Sequence, residues 1–187
     1  KYFMALTPST MLALGTKAAD FELLDTLSNK HKHLKQLKSS KATVIMFICN
    51  HCPYVKHVIH ELVKLAQDYQ AKGISFIAIS ANDAQSYPED APDKMGQLGK
   101  KLGFSFPYLY DKTQSVAKAY QAACTPDFYI FDKDLFCVYR GQLDGSRPNN
   151  KIPVTGQDIR AALENILTGK PVDPQQIPSI GCNIKWK

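Results

Sequence analysis

The segment Thr43-Val44-Ile45-Met46-Phe47-Ile48-Cys49-Asn50-His51-Cys52-Pro53 decides how this chain is read. Its first six residues are apolar or β-branched without interruption, the pattern of a strand buried on both faces. From residue 53 to residue 71 the apolar residues Val55, Ile59, Leu62, Ala66 and Tyr69 recur at helical spacing, and Gly73 closes the pattern. Ile74–Ser80 is a second apolar run. Strand, helix and strand within about 40 residues make a βαβ unit, so the two strands are expected to be parallel.

Working outward, residues 81–93 form a polar loop with Pro88, Pro92 and four acidic residues. Parallel strands end together, so this loop leaves the second strand on the edge where Cys52 lies, and is expected to border a cleft and screen partners by charge. Residues 94–102 and 114–120 read as short helices around a brief strand at 107–110. Asp127–Asp132 and residues 135–140 read as a hairpin joined by Lys133-Asp134. Residues 156–167 form a last amphipathic helix with Ile159, Leu163, Ile166 and Leu167 inward. After Gly169 come Pro171, Pro174 and Pro178, so residues 169–187 are expected to run extended over the surface. The expectation is one α/β domain over residues 1–168, a mixed central sheet with helices on both faces, followed by a proline-rich tail.

Composition agrees with one folded domain. The chain has 187 residues, 44% hydrophobic and 21% charged, which excludes a disordered polymer. The longest strongly apolar run, 44–49, is far short of the roughly 20 residues a bilayer demands. Met11-Leu12-Ala13-Leu14 is too short for a signal-peptide apolar region. Without a visible signal the expected compartment is the cytoplasm, although a chain opening on Lys1 leaves room for an upstream segment. Lysine and arginine number 23 against 17 acidic residues, a net charge of +6. The densest basic stretch, 29–41, has five lysines with His31 and His33 but no arginine or aromatic residue for stacking on bases. It reads as a solvated surface. Neither nucleic acid nor membrane is expected as a partner.

Five cysteines, at 49, 52, 124, 137 and 182, are an odd number, which argues against a secreted disulfide framework. Cys137 reads as a core residue. Cys49 and Cys52 lie where a buried strand becomes a helix, and the free N–H groups and dipole of a helix N-terminus stabilise an anion there. Proline favours the first helical position, so Pro53 puts Cys52 at the N-cap. A thiol with a pKa near 8.5 is only about 3% thiolate at pH 7, whereas one lowered to about 6.5 is roughly three-quarters thiolate. A bridge between the two would close a very small loop worth roughly 2 kcal/mol, which suits reversible exchange better than stapling. Thr125-Pro126 stands at the entrance of the strand that follows. If that strand is antiparallel to the first, a cis bond there would expose the backbone of Thr125 to an extended substrate beside Cys52.

Together these stretches resemble a known family. Phe47-Ile48-Cys49-Asn50-His51-Cys52-Pro53-Tyr54, Phe106-Pro107-Tyr108-Leu109-Tyr110-Asp111, Ala123-Cys124-Thr125-Pro126-Asp127-Phe128 and Gly181-Cys182-Asn183-Ile184-Lys185-Trp186 resemble bacterial peroxiredoxin-like thioredoxin proteins. These are grouped with alkyl hydroperoxide reductase and thiol-specific antioxidant domains. The resemblance implies a thioredoxin-like three-layer fold, a redox-active pair at Cys49 and Cys52, and a cis-proline at Pro126. It implies an enzyme acting on disulfides or peroxides, supplied by a reductase or a thiol, with no bound cofactor. Two departures stand out. Typical peroxiredoxins have Pro-x-x-x-Thr/Ser-x-x-Cys and a separate arginine; here Ile45 and Cys49 occupy the first two positions and Pro126 stands at the third. Relative to thioredoxin the pair lies three residues early, with Val55 in place of the second cysteine. Cys52 is then the attacking thiolate and Cys49 the resolving thiol.

Three functions are weighed: thiol–disulfide exchange, peroxide reduction with Cys52 oxidised and Cys49 condensing, and a zinc-bound or redox-inert module. Zinc would need His57 or His60 beside the cysteines, yet only four residues separate Cys52 from His57, against the dozen or so of a zinc finger. His51 and Pro53, with Thr125 and Pro126, are candidates for positioning the reaction, and His51 either tunes a thiol or is an exposed turn residue. Lys56, Cys124 and Cys182 are accessory candidates: a cation near the thiolate, a small residue near the site, and a tail thiol able to resolve Cys52.

Overall fold

Residues 6–187 are described by the computed structural model; the first five residues of the expected domain lie outside it. Strand β1 (Leu6–Pro8) leads to the hairpin β2 (Glu22–Asp25) and β3 (Lys30–His33), then a single turn of helix, α1 (Leu34–Leu37). Next come β4 (Ala42–Phe47), α2 (Pro53–Gln70) and β5 (Ile74–Ser80), the βαβ unit read from the sequence. A 3₁₀ turn at Pro88–Asp90 precedes α3 (Pro92–Leu102), β6 (Tyr108–Tyr110) and α4 (Ser115–Ala119). The two-residue strand β7 (Cys124–Thr125), β8 (Asp127–Asp132), β9 (Cys137–Gly141), α5 (Gln157–Leu167) and β10 (Ile180–Asn183) complete the chain.

Seven strands form the main sheet in the order β3-β2-β6-β5-β4-β8-β9. All six residues of β4 are buried, because β4 has a parallel neighbour in β5 and an antiparallel one in β8. Its side chains alternate between two apolar layers. Val44 and Met46 pack with Leu62 of α2, Met95 of α3 and Leu163 of α5. Ile45 and Phe47 face Leu34 of α1, Ala117 of α4 and the buried ring of Tyr120. The expected mixed sheet with helices on both faces is the observed one.

α2 starts at Pro53 and buries Val55, Val58, Ile59, Leu62, Leu65, Ala66 and Tyr69, the face its periodicity picks out. Arg160 of α5 bonds Glu61 at 2.6 Å and Asp68 at 2.9 Å, holding the two helices side by side. In α5 Ile159 and Leu163 are buried as expected, Ile166 and Leu167 pack half-buried against the same core, and Ala162 is buried with them. The hairpin after β8 also starts its second strand later than expected, at Cys137, because Leu135 adopts a left-handed backbone at φ 64°. The lysine-rich stretch supplies the edge strand β3, whose exposed charges discourage pairing with another chain.

The tail corrects the sequence reading. Residues 170–179 have no regular structure, but β10 is not a surface strap: it lies between β1 and β7 in a second, three-stranded sheet. Cys182 pairs with Leu6 on one side and with Thr125 on the other. Gly181, Cys182 and Ile184 are buried. The prolines hold the approach extended, and the apolar Ile-Gly-Cys-Asn-Ile stretch then supplies the burial.

Phe47 tests the weight of the inner layer. It is 1% exposed, with ring centroids 5.9 Å from both Tyr120 and Tyr129. Phe47→Ala should cost about 3–5 kcal/mol, read as a lower urea midpoint with an unchanged slope.

Candidate active site

β4 ends at Phe47, and five residues later the chain enters α2 with Cys52 as N-cap and Pro53 in the first turn. The Cys52 backbone is extended, at φ −65° and ψ 124°, which aims its side chain across the helix start. β8 runs antiparallel to β4 with Asp127 opposite Phe47, so Thr125 and Pro126 arrive beside the cysteines. The Thr125–Pro126 bond is cis.

Three sulfurs meet here. Cys52 Sγ lies 2.8 Å from Cys182 Sγ and 3.3 Å from the carbonyl oxygen of Thr125. Cys49 Sγ is 3.5 Å from Thr125 Oγ1 and within hydrogen-bonding reach of Cys52. All three are closed off from solvent, with exposures of 1% for Cys49, 0% for Cys52 and 3% for Cys182.

The surroundings divide the thiols. Hydrogen bonds from Cys182, then Cys49 and Thr125, and from the Val55 backbone N–H push the Cys52 pKa far below the ordinary thiol range, against the opposing effect of burial. Cys49 moves up, because its proton is held in the bond to Cys52, because it is buried and because Asp90 is near. Cys182 moves up for the first two of these reasons. The surroundings thus favour the thiolate at Cys52 and the protonated thiol at Cys49 and Cys182.

Behind Cys49 sits a buried carboxyl group, that of Asp90. Asp90 is fully buried and accepts from the backbone N–H groups of Asn50 (2.8 Å) and His51 (3.2 Å) and from Asn82 Nδ2 (2.8 Å). Its Oδ2 is also 2.5 Å from His51 Nδ1. The His51 ring stacks on Tyr87 at 5.2 Å, and its Nε2 is buried without a hydrogen-bond partner among the described residues. His51 is therefore no exposed turn residue. Tyr108 OH donates to Asn50 Oδ1 at 3.0 Å and fixes the turn from below. The 81–93 loop does border the site; of its four acidic residues Asp83 and Asp90 are buried, while Glu89 and Asp93 are exposed.

Other expected residues lie elsewhere. Lys56 is exposed on the outer face of α2. His57 bonds Ser146 Oγ at 2.7 Å, and His60 is exposed, so neither reaches the sulfurs as a zinc ligand. Cys49, His51 and Asp90 do bring one donor atom each within 4.8 Å of one another. Four protein donors already surround the Asp90 carboxylate, which suits a hydrogen-bonded pair better than a metal ligand. Cys124 is buried in β7 with its Sγ 3.7 Å from Pro126 O, and burial raises its pKa. Thr125 is beside both sulfurs, yet its backbone is paired with β10, so the expected open edge is occupied. Sequence reasoning missed Asp90, Asn82 and Tyr108. The one available signal was a polar loop leaving β5 at the Cys52 end of the sheet.

A three-layer sheet with a Cys-x-x-Cys at a strand-to-helix turn, facing a cis-proline, defines a thioredoxin-like protein. Residues 14–140 match the AhpC/TSA family, and the chain belongs to that family. It is 62% identical to an uncharacterized conserved protein from Geobacillus kaustophilus of known crystal structure, covering 100% of this chain and 98% of that one with a TM-score of 0.98. The thioredoxin domain of a thiol-disulfide oxidoreductase from Bacteroides vulgatus shares the fold at a TM-score of 0.59 and 17% identity, over 70% of this chain and 89% of that one. Among curated relatives, the thiol-disulfide oxidoreductase ResA of Geobacillus kaustophilus is 23% identical over 133 residues, 71% of each chain.

Two outcomes check this site. With its folded pKa below its unfolded one, Cys52 stays charged in the native protein at pH values where a free thiol is neutral. Thiolate absorbance near 240 nm should persist from pH 8 to below about pH 5 and be absent from Cys52→Ser. Removing the buried carboxylate in Asp90→Ala strands several donors and should cost about 1–3 kcal/mol in chemical denaturation.

Proposed function

We propose that this chain is a thiol–disulfide oxidoreductase in which Cys52 attacks and Cys49 resolves. The observation that carries the reading is the N-cap position of Cys52, with a depressed pKa and a protonated thiol on each side. The Cys52 thiolate attacks a disulfide R–S–S–R′ and expels R′S⁻, which takes up a proton. Cys49, relieved of its proton, attacks Cys52 Sγ and releases RS⁻, leaving a Cys49–Cys52 disulfide. Two electrons have passed to the substrate, and an external thiol or a reductase restores them. His51, held by Asp90, is the candidate base for the Cys49 proton, since one of its ring nitrogens lies within 4.8 Å of the Cys49 sulfur. The partners are protein or small-molecule disulfides and a thiol donor, in keeping with the name of the ResA relative.

Peroxide reduction is the second reading, favoured by membership of the AhpC/TSA family. Against it, the position of the peroxiredoxin arginine is Pro126. Arg140 bonds Leu12 O and Gln176, and Arg147 bonds Asp144 O, Ser146 O and Gln142, so both guanidiniums are engaged away from the sulfurs.

Insulin reduction driven by a dithiol donor separates the variants. Cys52→Ser should lose turnover, and Cys49→Ser should lose turnover while accumulating a mixed disulfide on Cys52. Full activity in Cys52→Ser would reject the assignment. Peroxide consumption faster than disulfide reduction would favour the second reading.

A further inference from the structure

Nothing can reach Cys52 in this conformation, because β10 is in the way. What β10 offers is what a substrate would offer. It is an extended segment, paired antiparallel with Cys124–Thr125, and it presents a sulfur 2.8 Å from the Cys52 sulfur. An S–S bond, at about 2.05 Å, lies less than about 1 Å away. We propose that β10 is an internal stand-in for the substrate, an extended cysteine-bearing polypeptide that displaces it by strand exchange. This rests on the reading of Cys52 as the attacking thiolate and adds what that thiolate receives and how.

Strand exchange swaps like for like. β10 holds Thr125 and Cys124 through two register pairs and β1 through three, so an incoming strand keeps the backbone pairing by taking β10's place between both neighbours and re-forming the same main-chain hydrogen bonds. A small disulfide brings no strand and leaves those groups unpaired. The contact also sets a side-chain requirement. A Cβ placed on Gly181 would stand 1.9 Å from the Thr125 carbonyl oxygen, closer than any non-bonded pair allows. The residue before the incoming cysteine therefore has to be glycine. Once seated, the substrate sulfur bonds to Cys52, its former partner leaves as a thiolate and takes up a proton, and no other oxidant is needed. When the strand departs, β10 returns and closes the site.

The test uses the full chain with Cys49→Ser and Cys182→Ser, leaving Cys52 as the one reactive sulfur of the cluster. Its probes are a decapeptide of sequence Pro-Ser-Ile-Gly-Cys-Asn-Ile-Lys-Trp-Lys, activated at cysteine as a 2-thiopyridyl disulfide, and the same peptide with isoleucine and glycine interchanged. Adducts are mapped by mass spectrometry after digestion. The native order should form the Cys52 adduct about tenfold faster, the effect of roughly 1.4 kcal/mol of added recognition. Adding Gly181→Ala, which forces β10 off Thr125, should speed the reaction of both peptides. Equal rates for the two peptides would overturn strand exchange while leaving Cys52 as a nucleophile. No Cys52 adduct with either peptide would overturn that assignment as well.

Discussion

A sulfur closed off from water carries charge only where its surroundings stabilise that charge, and this constraint organises the molecule around Cys52. The groups that lower its pKa are Cys182 first, then Cys49 and Thr125, with the backbone of Val55 at the start of α2. They come from three separated parts of the chain, and the central sheet brings them together. Burial of β4 on both faces fixes its register against β8, which places residues 124–126 opposite the end of β4. β10 then fits beside β7 and closes the fourth side.

The buried carboxyl group of Asp90 sits close by, and it and Cys52 act on Cys49 from different directions. Asp90 is held by the backbone N–H groups of Asn50 and His51 in the turn and by the side chain of Asn82 after β5. Its field and the Cys52 thiolate both disfavour ionisation of Cys49. Thiols a few residues apart are thus driven toward opposite protonation states, which is how one site supplies both a nucleophile and a proton-bearing partner. The tight contact of Asp90 with His51 leaves the other imidazole nitrogen buried with no hydrogen-bond partner among the described residues.

The parts of the fold legible in the sequence were those written in local periodicity. Val44 to Phe47 and the stripe Val55–Ile59–Leu62–Ala66 carry their burial in their own order, and Pro53 marks the helix start. Thr125-Pro126 was legible because proline restricts where a strand can begin. Asp90 was not, because a carboxylate in a polar loop looks the same whether it faces water or four donors. The place of β10 was hidden for a related reason. A four-residue strand owes its existence to its neighbours, and Leu6 and Thr125 are distant in sequence. The prolines before it suggested a loose end, and nothing local announced that Gly181 was small so as to lie against a carbonyl.

Sulfur parity has a consequence of its own. Disulfides consume thiols in twos, and this cluster contains three, so any single oxidation of Cys52 leaves a bystander still reduced and within reach. On the proposed chemistry the oxidised protein would be a pair of isomers, bridged to Cys49 or to Cys182, that interconvert by internal exchange without any outside electron. Its redox potential is the property of that mixture, and each 1.4 kcal/mol separating the isomers corresponds to about 30 mV between them. A partner that binds the strand carrying Cys182 would shift the mixture, and with it the potential, without touching the other two sulfurs.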